Sequence, residues 1–323
     1  MIRLDSQNPE DIVQAARLLD EGRLVAIPTE TVYGLAADAS NEQAVRKVFE
    51  AKQRPLGHPL IVHVASAERI ELWAESVPDV VWRLTENFWP GPLTILLPKK
   101  QGVSDVITGG HPGVAIRMPA HPVTLTLIDA LGRDVVAPSA NPYGRISPAS
   151  AEHVQRGLAG RIDAVLDGGE CSVGIESTIL DLTGSVPAIA RPGLVTQSRL
   201  EQFLGVSFVS RVPATMAVPG NVKQHYQPVT RTLGIASDRF QVELSALISQ
   251  PGRTGVIWWQ TPPPESDAVE AIQLSDEPEL YARMIYTALH VLDQADLARI
   301  VIEWPPQTEA WRALHDRLGR ACA

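Results

Sequence analysis

Cysteine, lysine and long apolar runs are the scarce features of this chain. Its two cysteines, Cys171 and Cys322, stand far apart among 323 residues. That excludes a disulfide-stapled secreted scaffold and a paired-cysteine zinc site. No apolar stretch approaches the roughly 18–20 residues that cross a bilayer. The opening M-I-R-L-D-S-Q-N-P-E-D lacks the basic and then apolar layout of a signal peptide. A cytoplasmic globular protein is expected. Only five lysines are present and the formal net charge is -9. Such a chain does not coat nucleic acid electrostatically, although a local basic pocket remains compatible with it. Residues 231–323 hold 8 arginines, no lysine and 13 acids, a net of -5, which argues against RNA contact there. Also missing are G-x-x-x-x-G-K-[ST], H-E-x-x-H and G-x-S-x-G, so P-loop, zinc-protease and serine-hydrolase chemistry lose their usual signatures.

What is present alternates between helix and strand signals. Asn8-Pro9-Glu10-Asp11 supplies a cap, a proline in the first turn and acidic residues after it, and Gly22 ends that helix. Ser40 with Gln43 reads as a capping box for a second helix, which Pro55 stops at Arg54. Short apolar runs at 24–28, 60–64, 93–98, 114–119, 134–138, 164–167 and 177–182 read as strands. Helices are expected near 78–88, 122–131 and 148–158, the last with Ser147 as cap and Pro148 at its first position. With more strands than helices, the fold class is α/β with a mixed sheet. Residues 205–230 are proline-rich and aperiodic and read as a linker between a catalytic part, 1–204, and a C-terminal part, 231–323. Strand signals at 232–236, 255–259 and 299–304 alternate there with helices near 238–249, 277–293 and 307–319, which predicts a smaller parallel α/β domain.

Polar residues gather next to glycine and proline at strand ends, where open α/β sheets bind ligands. P-T-E-T-V-Y-G-L (28–35), K-Q-R-P-L-G-H-P-L-I-V-H-V (52–64), A-P-S-A-N-P-Y-G-R-I-S-P (137–148), G-I-E-S-T-I-L-D-L-T (174–183) and A-R-P-G (190–193) carry most of them. A polyphosphate needs cations and N–H or O–H donors. Lys52, Arg54 and Arg191 could supply the first, and Ser139, Asn141 and Ser147 the second. Each has an ordinary alternative: a solvated cation, a turn former, a plain helix cap. His63, inside an apolar strand, fits a hydrogen-bonded core histidine as well as a ligand. Arg117, ending V-A-I-R-M-P, is costly to bury unless an anion meets it. Composition and spacing alone stop at an anion-binding α/β protein.

Taken together, P-T-E-T-V-Y-G-L, the pair K-x-R and S-x-N (Lys52, Arg54, Ser139, Asn141), F-W-P-G-P-L-T, V-A-I-R-M-P, E-S-T-I-L-D-L and A-R-P-G closely resemble the YrdC-type threonylcarbamoyl-AMP synthases. The likeness runs from about residue 10 to 200. The linker with His225-Tyr226 and the second domain resembles the long, two-domain form. The resemblance implies a twisted, open mixed sheet around a large concave site. It also implies condensation of L-threonine, bicarbonate and ATP, with Mg²⁺ and no tightly bound metal, for modification of adenosine 37 of tRNA. Lys52, Arg54, Ser139 and Asn141 are then expected at the reacting phosphates, with His58, Ser147, Arg191 and His225 on the nucleotide. Thr31, His63, Arg117 and Ser177 are expected on threonine, and His225 with Tyr226 in a lid. A downstream transferase complex would take the product, and direct RNA contact would be weak. Two departures are visible: His58 stands where the family commonly has Asn, and the linker reads V-P-G-N-V-K-Q-H-Y-Q-P in place of S-P-G-M-x-x-x-H-Y-A-P. Two rivals remain: a non-catalytic RNA-binding module, and the carbamoyl-transfer relative of hydrogenase maturation. The acidic total argues against the first and the missing cysteine motifs against the second.

Overall fold

The computed structural model describes residues 1–208 and 226–323. They fall into two compact units. One comprises Met1–Tyr143, Pro148–Ser172 and Glu176–Asn221, and the other comprises Gly144–Ser147, Val173–Ile175 and Val222–Ala323.

The first unit is built on ten strands: β1 (Ile2–Asp5), β2 (Val25–Ile27), β3 (Gly34–Asp38), β4 (Ile61–His63), β5 (Leu93–Pro98), β6 (Gly113–Arg117), β7 (Val135–Val136), β8 (Ala164–Asp167), β9 (Thr178–Asp181) and β10 (Ala188–Arg191). They line up as β1-β8-β2-β3-β7-β4-β6-β5-β9-β10. The sheet is mixed, as expected. β4 and β6 run parallel, as do β5 and β9, while β5 opposes β6 and β7 opposes both β3 and β4.

Period-two alternation then sorts each strand's residues between two faces. On one face Val62, Ile95, Leu97, Ile116 and Leu180 join a core with Val45, Val48 and Phe49 of the helix Glu42–Lys52 and with Val81 and Leu84 of the helix Asp79–Phe88. On the other, the helices Pro9–Asp20 and Pro122–Leu131 pack on Leu4, Val25, Ile27, Ala36, Val135 and Leu166. Further along that same face, β4, β5, β6, β9 and β10 present only a small apolar patch of Ile61, Leu96, Ala115, Ile179 and Ala190. The polar residues two positions along these strands stand beside that patch.

Two helix starts differ from the sequence expectation. The second helix is capped by Asn41, whose side chain accepts from Ala44 N, and not by a Ser40–Gln43 box. Ser40 instead hydrogen-bonds Asp38. The helix expected from Ser147 begins at Ala151, and Ser150 caps it by accepting from His153 N. Pro148 is diverted because its carbonyl accepts from Tyr33 N at 2.9 Å, which holds the segment extended past the first serine. Ser147 therefore caps no helix.

In the second unit, β11 (Thr232–Ile235), β12 (Thr254–Trp258), β13 (Val269–Gln273) and β14 (Arg299–Glu303) form a wholly parallel sheet in the order β11-β14-β12-β13. Glu303, fully buried, ends β14 and accepts three successive backbone N–H groups, from Trp259, Gln260 and Thr261, at 3.0–3.1 Å. It thereby fastens the turn that follows β12. Tyr226 is 1% exposed, has a φ of 64°, and stacks on Tyr286 with Arg317 over its ring at 5.5 Å. Expected in a lid, it is packed inside this unit. His225 lies outside the described residues.

Candidate active site

The opening of the site is written in how the helix Glu42–Lys52 ends. Gln53 turns into the left-handed region, φ 54°, and Arg54 N closes back on Phe49 O at 2.9 Å. Pro55 then prevents resumption. Lys52 is left at the last helical position, 1% exposed, with its ammonium donating to the backbone carbonyls of Ser139 and of Asn141, the latter at 2.6 Å. Burial, and next the charge of Arg54, push its pKa well down, against a smaller opposing pull from Glu176. Arg54 is also buried, and its guanidinium donates to Pro59 O at 2.9 Å. His58 packs edge-on to Tyr143, centroids 5.4 Å apart, and burial followed by Arg54 lowers its pKa, so it is neutral at pH 7.

Ser139 and Asn141 follow β7. Ser139 bridges to Gly34 at the start of β3, so Lys52 ties the S-x-N turn to the helix end. The cation and the two polar residues predicted to serve a nucleotide do come together. They meet through the turn's backbone, a role that spacing cannot reveal.

A second group forms where β4 and β6 end. His63 and Arg117 are register partners on the face with the small apolar patch. Arg117, 3% exposed, donates from Nη1 to Thr31 Oγ1 at 2.9 Å and from Nε to Gly91 O at 3.2 Å. Nη2 lies 2.6 Å from Glu30 Oε1. Thr31 is held in turn by Thr29, Oγ1 to Oγ1 2.9 Å. The anion that Arg117 required is thus supplied within the chain by Glu30, a residue to which sequence reasoning assigned no role. Tyr33, from the same segment, is structural. Its hydroxyl accepts from Gly168 N and donates to Gly169 O, and burial raises its pKa.

A third group adjoins it. Ser177 precedes β9 and its hydroxyl pairs with Thr94 Oγ1 at 2.8 Å. Arg191 donates to Ser177 twice, to Oγ and to the carbonyl, each at 3.0 Å. The A-R-P-G turn needs its glycine because a Cβ on Gly193 would stand 2.3 Å from Thr178 N. Thr94 was not expected; its only sequence signal is a hydroxyl in the otherwise apolar run L-T-I-L-L-P. Ser147 belongs to the second unit. Among the described residues no three His, Cys, Asp or Glu side chains gather as metal ligands, and no helix is long and apolar enough to cross a membrane.

His63 gives a test of this geometry. Burial, reinforced by Arg117, drops its pKa from 6.5 to about 3. The unfolded chain takes up the proton near 6.5 and the folded one resists it until about 3. The stability contributed by the neutral ring is therefore full above that window and lost as pH falls through it. Denaturant unfolding between pH 7 and 3 should show a shallower loss of stability for His63→Asn than for the wild type. Parallel slopes would mean that the ring is not held neutral.

A mixed sheet that collects buried arginines, a lysine and hydroxyls beside a small apolar patch defines an α/β protein with a polar, cation-rich interior site. The Sua5–YciO–YrdC family, described as telomere recombination, matches residues 17–193, and the family described as threonylcarbamoyl-AMP synthase, C-terminal domain, matches 195–323. The chain belongs to the threonylcarbamoyl-AMP synthase family. The Pyrococcus abyssi threonylcarbamoyl-AMP synthase is 40% identical over 318 residues, 95% of this chain and 92% of the relative. That of Bacillus subtilis is 38% identical over 326 residues, 98% and 94%. A crystal structure of P. abyssi Sua5 complexed with L-threonine superposes with a TM-score of 0.91 at 37% identity, covering 99% of this chain and 97% of that one.

Proposed function

We propose that this chain condenses L-threonine, bicarbonate and ATP to threonylcarbamoyl-AMP and pyrophosphate, as an adenylyl-transferring enzyme serving tRNA N6-threonylcarbamoyladenosine formation. The observation that carries the reading is the gathering of Lys52, Arg54, Arg117 and Arg191, all buried, in one unit of an acidic chain. Within the chain Glu30 meets Arg117, and buried donors of this kind suit a reaction that brings two anions together.

Threonine's amine and bicarbonate give a carbamate, whose oxygen attacks the α-phosphorus as pyrophosphate leaves. Positioning and charge stabilisation suffice for such a step, with no covalent intermediate on the protein. In this reading Arg54 meets the phosphates, with His58 and Arg191 on the nucleotide, and Lys52 holds Ser139 and Asn141 in place for it. Arg117 takes the amino acid's carboxylate, and Thr31, His63 and Ser177 read its remaining polar atoms. A site that hydrogen-bonds the substrate hydroxyl rejects analogues lacking it more sharply than an apolar pocket does. Mg²⁺ enters with ATP as part of the substrate. The chemistry belongs to 1–204, with 205–230 a linker and 231–323 a separate domain. The reaction runs in the cytoplasm, and the labile product passes to a tRNA-modifying transferase.

Pyrophosphate release from Mg-ATP tests this directly, with and without L-threonine and bicarbonate and with serine as control. Release that needs both co-substrates and prefers threonine is expected. Release needing neither would make the chain a plain ATPase, and none from folded protein would overturn the synthase reading.

A further inference from the structure

Glu30 of P-T-E-T-V-Y-G-L pairs with Arg117, and the roles above give it no contact with substrate. Its carboxylate is 6% exposed and lies 2.6 Å from Arg117 Nη2. Close as they are, the two groups are not aligned as a hydrogen bond. Among the described residues, both Glu30 oxygens and Arg117 Nη2 have no hydrogen-bond partner. Nearby, His121 feels the charge of Glu30, and its Nδ1 is likewise buried and unpartnered. Burial, and then the charge of Glu30, push the Cys171 thiol up. A buried ion pair offsets its desolvation only when the remaining lone pairs and protons are also met. Beyond the ion pair through Oε1, Glu30 Oε2 has no hydrogen-bond partner among the described residues, and it stands beside the guanidinium of Arg117. An α-amino acid zwitterion presents the complement of that arrangement, three N–H donors beside a carboxylate.

We propose that Glu30 binds the α-ammonium of threonine and accepts the proton that must leave before the nitrogen can react. The inference rests on the threonine-site reading of Arg117. One ammonium N–H bond breaks and an O–H bond forms on Glu30. The freed amine's lone pair forms the C–N bond with bicarbonate, which loses water to give the carbamate, and Glu30 returns its proton to solvent after product release. The Glu30–Arg117 couple thereby reads both ends of the zwitterion. A charged carboxylate left idle beside the arriving substrate carboxylate would only repel it.

The test is titration calorimetry on the full chain with two ligands: L-threonine, and (R)-3-hydroxybutanoate, which keeps the carboxylate and hydroxyl but has no amine. The wild type is expected to prefer threonine strongly. Glu30→Gln should lose about 10- to 100-fold in threonine affinity, the scale of one charged hydrogen bond, while 3-hydroxybutanoate binds as well or better. Glu30→Asp keeps a charge beside Arg117 and should retain part of the preference. If the Gln variant does not fold, the Asp variant decides, by losing threonine affinity without losing the deaminated ligand. Equal losses for both ligands would make Glu30 merely structural. Tighter threonine binding by Glu30→Gln would make it a competitor for Arg117. Either result overturns the proposal. A wild type that binds neither ligand would overturn the threonine-site reading itself, whereas one that binds both equally would overturn only the role of Glu30.

Discussion

Arg54→Ala is expected to fold normally and to release pyrophosphate about 10²–10³-fold more slowly, the scale seen when one charge-stabilising donor is removed from a transition state. The guanidinium sits just past a helix stop, anchored by Pro59 O at 2.9 Å. Its field already reaches the neighbours, since it helps to lower the pKa of both Lys52 and His58. That gives a second readout that does not depend on turnover. In Arg54→Ala, NMR titration of His58 should move up towards the ordinary histidine range, because one of the two causes of its depression is gone. A folded variant with unchanged activity would remove Arg54 from the reacting phosphates, whatever His58 does.

Lys52→Met should fail differently, losing stability and activity together. Methionine keeps the length and burial of the side chain but has no donor. The carbonyls of Ser139 and Asn141 would be left facing a thioether. Unsatisfied buried acceptors cost about 1–3 kcal/mol each, so a loss of roughly 2–6 kcal/mol in denaturant unfolding is expected for the two. The turn that carries Ser139 and Asn141 would be released at the same time, and pyrophosphate release should fall with it. Full stability combined with lost activity would show instead that the ammonium acts on substrate and that its two carbonyl bonds are incidental.

The sheet was legible where apolar runs are uninterrupted. L-T-I-L-L-P and A-V-L-D form strands over the residues read from sequence. β1 was not legible, because three of its four residues are exposed and only Leu4 is buried. β3 begins at the end of a motif read for its chemistry, and β13 has no fully buried residue. Strand order could not be read at all, since neighbours such as β1 and β8 are set by pairing across more than 150 positions. The same physics limits the site. Residue types picked out Arg117, and burial cost indicated that it needs an anion. Which anion depended on folding Glu30 across from it, 87 positions away in the chain. Ser147 in S-P-A-S-A-E-H read as the cap, and the bond from Tyr33 to Pro148 O, a long-range contact, moved the helix start on to Ser150.

The alternation within β4, β5 and β6 also bears on how such a protein can evolve. His63 and Arg117 lie one position from Val62 and Ile116, whose side chains belong to the opposite, helix-covered face. A single inserted or deleted residue in either strand exchanges the two sets, because a one-residue slip flips every side chain beyond it. It would drive a charge into oil and bring a valine or isoleucine to the reacting groups. Lineages carrying this sheet can thus explore new substrates by substitution, while length changes are confined to the loops. A mutagenesis library meant to retarget the enzyme should be drawn the same way.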